Sequence, residues 1–403
     1  MTPRRLTWLV VASTTSALFA CEGALSFVED GGRDTGSFDT GSFDTGVEED
    51  AQTPTHDAAG VDASSADRAG VFVAQGYAGR IAVSCDDGLT WRFDREDSLT
   101  DPSGAPLPPV ERCFDGVDCD HHPGRAKGVV FHHGWFVRTN GWGPPGAVRR
   151  SRNGIAWEVI DEGRTFGGIA TSSDGSSPGI LVLGARTPLW SDDDGETFHE
   201  ATNEAISGWN VRRVGLAAGR FVVVGNDGNE VGVSTDGTRW TTPSHIDPEC
   251  GRGIQNEGGI AGIGEALVIV SGTGVVCRSV DGGTTWTTSS LPEGARPSSS
   301  DVVTTGTELM VWSDGMVFRS SDGATWRGVP TEPRIQVGAV ARSPAGTFVA
   351  VRGGWDQWNE SQRFYRSADG VRWDELPPEA ARRSHPIGWI AWGLVERSRA
   401  CVE

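Results

Sequence analysis

Ser279-Val280-Asp281-Gly282-Gly283-Thr284-Thr285-Trp286 decides the fold, because the stretch recurs along the chain. Two more copies have the same length, Ser84-Cys85-Asp86-Asp87-Gly88-Leu89-Thr90-Trp91 and Ser191-Asp192-Asp193-Asp194-Gly195-Glu196-Thr197-Phe198. Four copies are one residue shorter, running from Ser151, Ser234, Ser320 and Ser367 to Trp157, Trp240, Trp326 and Trp373. The first residues of the seven lie 67, 40, 43, 45, 41 and 47 apart. A period in the forties is that of a four-stranded unit repeated around an axis.

Each position has a physical task. The Asp or Asn side-chain oxygen accepts backbone N–H groups in a tight turn. The Gly permits positive φ. Thr offers one more local hydrogen bond and a branched Cβ suited to the strand it begins. The closing aromatic supplies a large apolar area for packing. Turn chemistry accounts for these carboxylates without any ligand. With its residues and spacing, the motif resembles the Asp-box of the sialidase-like (BNR) propellers. The resemblance covers about residues 70 to 400.

Between boxes the pattern is regular. A Gly/Ala/Val-rich run such as Val337–Ala341 is followed by a turn and a second apolar run such as Thr347–Val351, and a third run ends in the box. Small residues in the first run suit the innermost strand, where blades converge. The chain ends depart from this order. Val71-Phe72-Val73-Ala74 reads as a second strand with no inner strand before it. Ile387-Gly388-Trp389-Ile390-Ala391-Trp392 reads as an inner strand with no box after it. The two complete one blade and leave no long free edge. The expectation is an all-β, seven-bladed β-propeller over residues 69–403, monomeric and closed by its terminal strands.

Residues 1–20 read as an export signal, with Arg4 and Arg5 before an apolar stretch too short to span a bilayer. The ending Leu18-Phe19-Ala20-Cys21 resembles a bacterial lipobox, although Phe19 replaces the usual small residue. The resemblance implies cleavage before Cys21, lipidation of that residue and anchoring in the cell envelope, at the outer membrane or cell surface. Residues 22–68 form an acidic Gly/Ser/Thr/Asp linker with a five-residue repeat, Asp34 to Gly46. Its composition cannot bury a core. As a tether it spans roughly 40 Å.

The formal charge of −19 excludes general nucleic-acid binding. Lys127 is the single lysine. Seven cysteines, less Cys21, leave an even set in an exported domain. Pairing Cys113 with Cys119, Cys250 with Cys277 and Cys85 with Cys401 uses all six locally. The absence of any C-x-x-C spacing weighs against zinc.

Candidate ligand-binding residues gather by strand order on one face. Arg125, Arg164, Arg212, Arg252, Arg296, Arg334 and Arg383 each stand just before an inner strand. They form either a basic ring attracting an anionic partner or salt bridges between blades. Trp142, Trp355 and Trp358 fall in other loops of that face and could stack on sugar or anchor protein. The segment from Phe93 to Arg125 carries Asp115, Asp118, Asp120, His121 and His122, but at no standard metal spacing, so neither a metal nor a cofactor is assigned. The reading is an envelope-anchored, non-enzymatic module that binds a protein or glycan. The alternative is a sialidase-like glycoside hydrolase. Sialidases use a Tyr nucleophile paired with Glu, an Arg triad and an Arg-Ile-Pro signature. Here Arg80-Ile81-Ala82 lacks the Pro, and only Tyr77 and Tyr365 exist. Tyr77 is placed on the binding face without an assigned Glu.

Overall fold

The structure is a computed structural model describing residues 67–402, except 77–79, 97–125, 142–145, 176, 203, 228, 244, 255–256, 354–362 and 378–386. These residues build seven antiparallel sheets arranged as the blades of a propeller. Blade 2 comprises Ala126–His132, Trp135–Asn140, Gly146–Ser151 and Glu158–Arg164. Blade 3 comprises Ile169–Thr171, Leu181–Leu183, Leu189–Ser191 and His199–Glu200. Blade 5 runs from Gly259–Ile263 through Ala266–Val270 and Val275–Ser279 to Thr287–Ser290. Blade 6 runs from Val303–Thr304 through Leu309–Ser313 and Met316–Ser320 to Arg327–Pro330. Blade 7 holds Val337–Arg342, Phe348–Arg352, Phe364–Ser367 and Asp374–Glu375.

Blade 4 departs from the four-strand expectation. It has Arg213–Ala217, Arg220–Val224 and Val231–Ser234, and its outer strand shrinks to a bridge between Val233 and Thr241. Pro243, two residues on, has no N–H to extend that ladder.

Blade 1 closes the ring. Its inner strand is the C-terminal Ile387–Glu396, which pairs with Arg68–Gly76, followed by Arg80–Ser84 and Arg92–Glu96. The register sets Val73 against Ala391 and Gln75 against Trp389. The Cys85–Cys401 disulfide staples the first motif turn to the residues after the closing strand, and Cys250–Cys277 pins the loop before blade 5 to its third strand. Cys113 and Cys119 lie outside the described residues.

Packing explains the composition. Second strands such as Ala266–Val270 are buried throughout, because both of their faces meet neighbouring blades. Inner strands and the segments entering them need small residues. A Cβ on Gly168 would lie 2.9 Å from the Val214 nitrogen of blade 4, and one on Gly215 would lie 2.5 Å from Ile260 of blade 5. Outer strands such as Thr287–Ser290 are exposed.

Every recurring motif begins with the last residue of a third strand and closes on itself. In the fifth copy Ser279 Oγ donates to Asp281 Oδ1 at 2.8 Å and accepts from Gly283 N at 2.8 Å. Thr285 donates its N–H to Asp281 Oδ1 at 2.9 Å and its hydroxyl to Oδ2 at 2.6 Å. Trp286 Nε1 donates to the Gly283 carbonyl at 3.0 Å. Those bonds, the Thr285 hydroxyl first, hold the Asp281 carboxyl down at about 2. At Asp193 slight burial works upward, and the bonds from Thr197 and Ser191 outweigh it, again giving about 2. These carboxylates are committed to their turns.

Strand order defines two faces. Loops leading into inner strands and second-to-third connections share the upper face. First-to-second turns and the motif turns share the lower face.

Candidate functional site

Arg212, Arg252, Arg296 and Arg334 sit on the upper face in loops leading into inner strands, and Arg164 ends the outer strand of blade 2 at the same face. Most are locally engaged. Arg164 pairs with Asp161 at 3.5 Å and Glu200 at 4.0 Å. Arg212 donates through Nε and Nη2 to Asn226 Oδ1 at 3.0 and 2.6 Å. Arg252 pairs with Glu249 at 2.7 Å. Arg296 and Arg334 are exposed and make no ion pair among the described residues. Arg125, Arg383, Trp142, Trp355, Trp358 and Tyr77 lie outside the described residues, as does the 113–122 loop.

The structure adds a cavity of about 260 Å³ on this face, between blades 3 and 4. Thr165, Phe166 and Gly167 form one side, Ala185 and Arg186 the next, and Asn210, Val211 and Arg212 the third. Backbone bonds fix its walls: Gly167 N to Gly184 O at 2.7 Å, Val211 N to Ala185 O at 2.8 Å and Asn210 N to Arg186 O at 3.1 Å. Gly167 cannot be larger, since a Cβ would meet the Val211 carbonyl at 2.2 Å. Arg186 is exposed at the cavity and has no ion pair among the described residues. Two guanidiniums therefore flank one opening, Arg212 held in place by Asn226 and Arg186 uncommitted. Arg186 lies in a second-to-third connection, outside the run of arginines that precede inner strands, and no repeat in the sequence marks it.

One residue beyond Arg212 the chemistry changes. Arg213 is 3% exposed and crosses the ring axis. Its Nη2 lies 2.7 Å from the Ser300 carbonyl and 2.8 Å from Asp301 Oδ1, both leading into blade 6. Its guanidinium stacks 4.3 Å above Trp389 of blade 1. Burial raises the Asp301 carboxyl, against the opposing pull of Arg213. Asp301 nevertheless keeps 43% of its side-chain surface accessible. Access for water combined with protein on every side suits a group lining a narrow axial channel. Blades 4, 6 and 1 are thus tied across the centre.

On the lower face two of the three longer motif copies have a spare Asp, and it links blades. Asp87 accepts from Arg366 Nη2 of blade 7 at 2.7 Å. Asp194 receives His133 Nδ1 at 2.9 Å and lies 3.2 Å from His132 Nε2. Burial holds the His132 imidazole below its ordinary value, with Asp194 opposing the shift. The extra residue in those copies was the visible signal for these contacts.

Tyr365 does have a carboxylate partner, Glu375 Oε2 at 3.0 Å. Its ring is 1% exposed in the core shared by blades 6 and 7. Burial, then Glu375, raises its phenol. A nucleophile requires the reverse shift and an open approach, so this pair is a core hydrogen bond.

No protein-family model matches the chain, and no curated protein sequence matches it. Among solved structures it is similar to YCF48 bound to D1 peptide, at 14% identity over 64% of this chain and 83% of that one, with a TM-score of 0.47. It is also similar to virginiamycin B lyase from Staphylococcus aureus, at 12% identity over 68% and 96%, TM-score 0.49. A third is the GH74 enzyme of Niastella koreensis, at 14% over 78% and 61%, TM-score 0.37. Likeness at this level carries no statement about ligand or activity.

Proposed function

We propose that this protein is a lipid-anchored envelope module that uses its upper face to bind an anionic partner, an acidic protein segment or an acidic glycan, without chemistry on it. The observation that carries the reading is the pair Arg186 and Arg212 at the mouth of a cavity, in a chain of formal charge −19. An overall negative field repels acidic partners, so two guanidiniums at a concave opening, Arg212 braced by Asn226 and Arg186 exposed beside it, select where one can dock. Arg296 and Arg334 extend the cationic rim. Cys21 supplies the anchor in this reading, and the residues between it and Asp67 the tether, the first strand beginning at Arg68.

The test has two parts. Mass spectrometry of the mature protein should find a lipid-modified Cys21 as its first residue. Affinity capture from detergent-solubilised envelope, with a glycan array beside it, should identify the partner. Binding to that partner should weaken about tenfold on Arg186→Ser or Arg212→Ser, and the salt dependence should flatten. Unchanged binding in folded variants would remove this face from consideration.

A further inference from the structure

The lower face carries a second cavity that the motif and the upper rim do not explain. It measures about 200 Å³ and lies where blades 1, 2 and 3 meet, beside the point at which the chain enters its first strand. Arg68, Arg152 and Arg399 line it together with His133, Asp194 and Glu396.

The pairing among these groups is unequal. Glu396 is taken by Arg399 at 2.7 Å. Asp194 is taken by His133 and His132. Neither Arg68 nor Arg152 has a carboxylate partner among the described residues. Arg150, two residues before Arg152, shows what a satisfied guanidinium looks like here. It bonds Glu158, Glu196 at 2.6 Å and the Asp194 carbonyl at 2.9 Å. Arg150 and Arg152 both pack on Trp135, at 4.3 and 3.6 Å from the ring centroid. Stacking fixes the guanidinium plane of Arg152 and leaves its N–H edge for another group. Burial, then the charge of Arg399, lowers the Arg152 guanidinium, with Asp194 and Glu396 pulling the other way from a distance.

We infer that this cavity binds a phosphate group, held by Arg68 and Arg152. A tetrahedral phosphate offers enough oxygens to engage two forks at once, whereas a carboxylate satisfies one. The volume is below that of a drug-sized pocket and suits a single small anion or the head of a larger ligand. The site stands apart from the upper face, so it survives or fails independently of the function proposed above.

Isothermal titration of the full chain at constant ionic strength tests it, with inorganic phosphate, glycerophosphoglycerol and acetate as probes. Phosphate should bind saturably, one per chain. Arg152→Gln and Arg68→Gln should each weaken it about tenfold, while Arg327→Gln on the outer strand of blade 6 leaves it unchanged. Arg152 is exposed, so its variant keeps the test valid if Arg68→Gln fails to fold. Equal affinity for glycerophosphoglycerol would assign the site to a lipid headgroup, and preference for inorganic phosphate to a free phosphate or monoester. No saturable binding of phosphate overturns the proposal. So does binding that survives both substitutions, or acetate bound as tightly as phosphate.

Discussion

Gly154→Ala should be far more harmful than an ordinary glycine replacement. Gly154 holds φ at +77°, and an added Cβ would lie 2.5 Å from Cγ2 of Val73 in blade 1. Positive φ costs an L-residue about 1–2 kcal/mol. The clash adds an overpacking term of about 1–3 kcal/mol, because Val73 is fully buried and stiff at χ1. The expected loss is about 2–5 kcal/mol. Gly208 is the control. It has φ +82° with nothing within 4 Å of the added carbon, so Gly208→Ala should lose only the backbone term. In a domain this large each kcal/mol moves Tm by only about 1.4 °C. Urea unfolding, followed by Trp fluorescence and circular dichroism together, is the better assay. Val73→Ala in the Gly154→Ala background should recover part of the loss, giving a coupling of about 1–3 kcal/mol. If Gly154→Ala costs no more than Gly208→Ala, or if the two substitutions simply add, blades do not abut through their motif glycines as argued.

Two further outcomes follow from the same structure. Closing a loop of 316 residues restrains the unfolded chain by about 6 kcal/mol in the chain-entropy account, against about 3.5 kcal/mol for 27 residues. Replacing Cys85 and Cys401 by Ser should therefore lower the urea midpoint more than replacing Cys250 and Cys277; an equal or reversed order would reject the seam as the dominant restraint. The motif carboxyls of Asp193, Asp236, Asp281 and Asp322 lie at about 2 in the folded protein, below an ordinary 3.8. The unfolded chain takes up those protons first as pH falls. Stability is therefore complete above about pH 4 and is lost as pH falls through about 2. Asp281 and Asp322 are exposed and Asp193 and Asp236 only partly buried, so each contributes a small share. Asp193→Asn with Asp322→Asn should flatten the urea midpoint against pH in that window; an unaltered slope would count against motif control of acid unfolding.

The ring was legible in the sequence because its instructions are local and repeated. Ser-x-Asp-Gly with a closing aromatic fixes a turn, the turn fixes the third strand, and seven turns fix seven blades. The orphan strands around Val73 and Trp389 revealed the closure because a missing element is as visible in a repeat as a present one. Two disulfides followed from the same placement. The site was less legible because it depends on alternation within a strand and on loops whose partners are distant in sequence. Arg212 and Arg213 are neighbours, yet one stands on the rim and the other crosses the axis to Asp301 and Trp389. Adjacent side chains point opposite ways at a strand start, and no composition rule says which one faces the channel. The loss of the fourth strand in blade 4 was equally hidden, since its motif is intact.

Departures within the repeat carry the remaining information. The second copy has Asn153 where the other six have Asp. Its Oδ1 performs the usual task, accepting from Ile155 N at 2.9 Å and Ala156 N at 3.0 Å. Its Nδ2 does something a carboxylate cannot, donating to the Val402 carbonyl at 3.1 Å. An Asp there would set two acceptors against each other at the place where the chain end lies over blade 2. The spare Asp87 and Asp194 obey the same logic, since the turn needs only one carboxylate and the second is released to grip the preceding blade. At Asn153, Asp194 and Asp87 the departure from the repeat therefore meets a specific partner: the Val402 carbonyl, a neighbouring histidine pair and an arginine of the preceding blade.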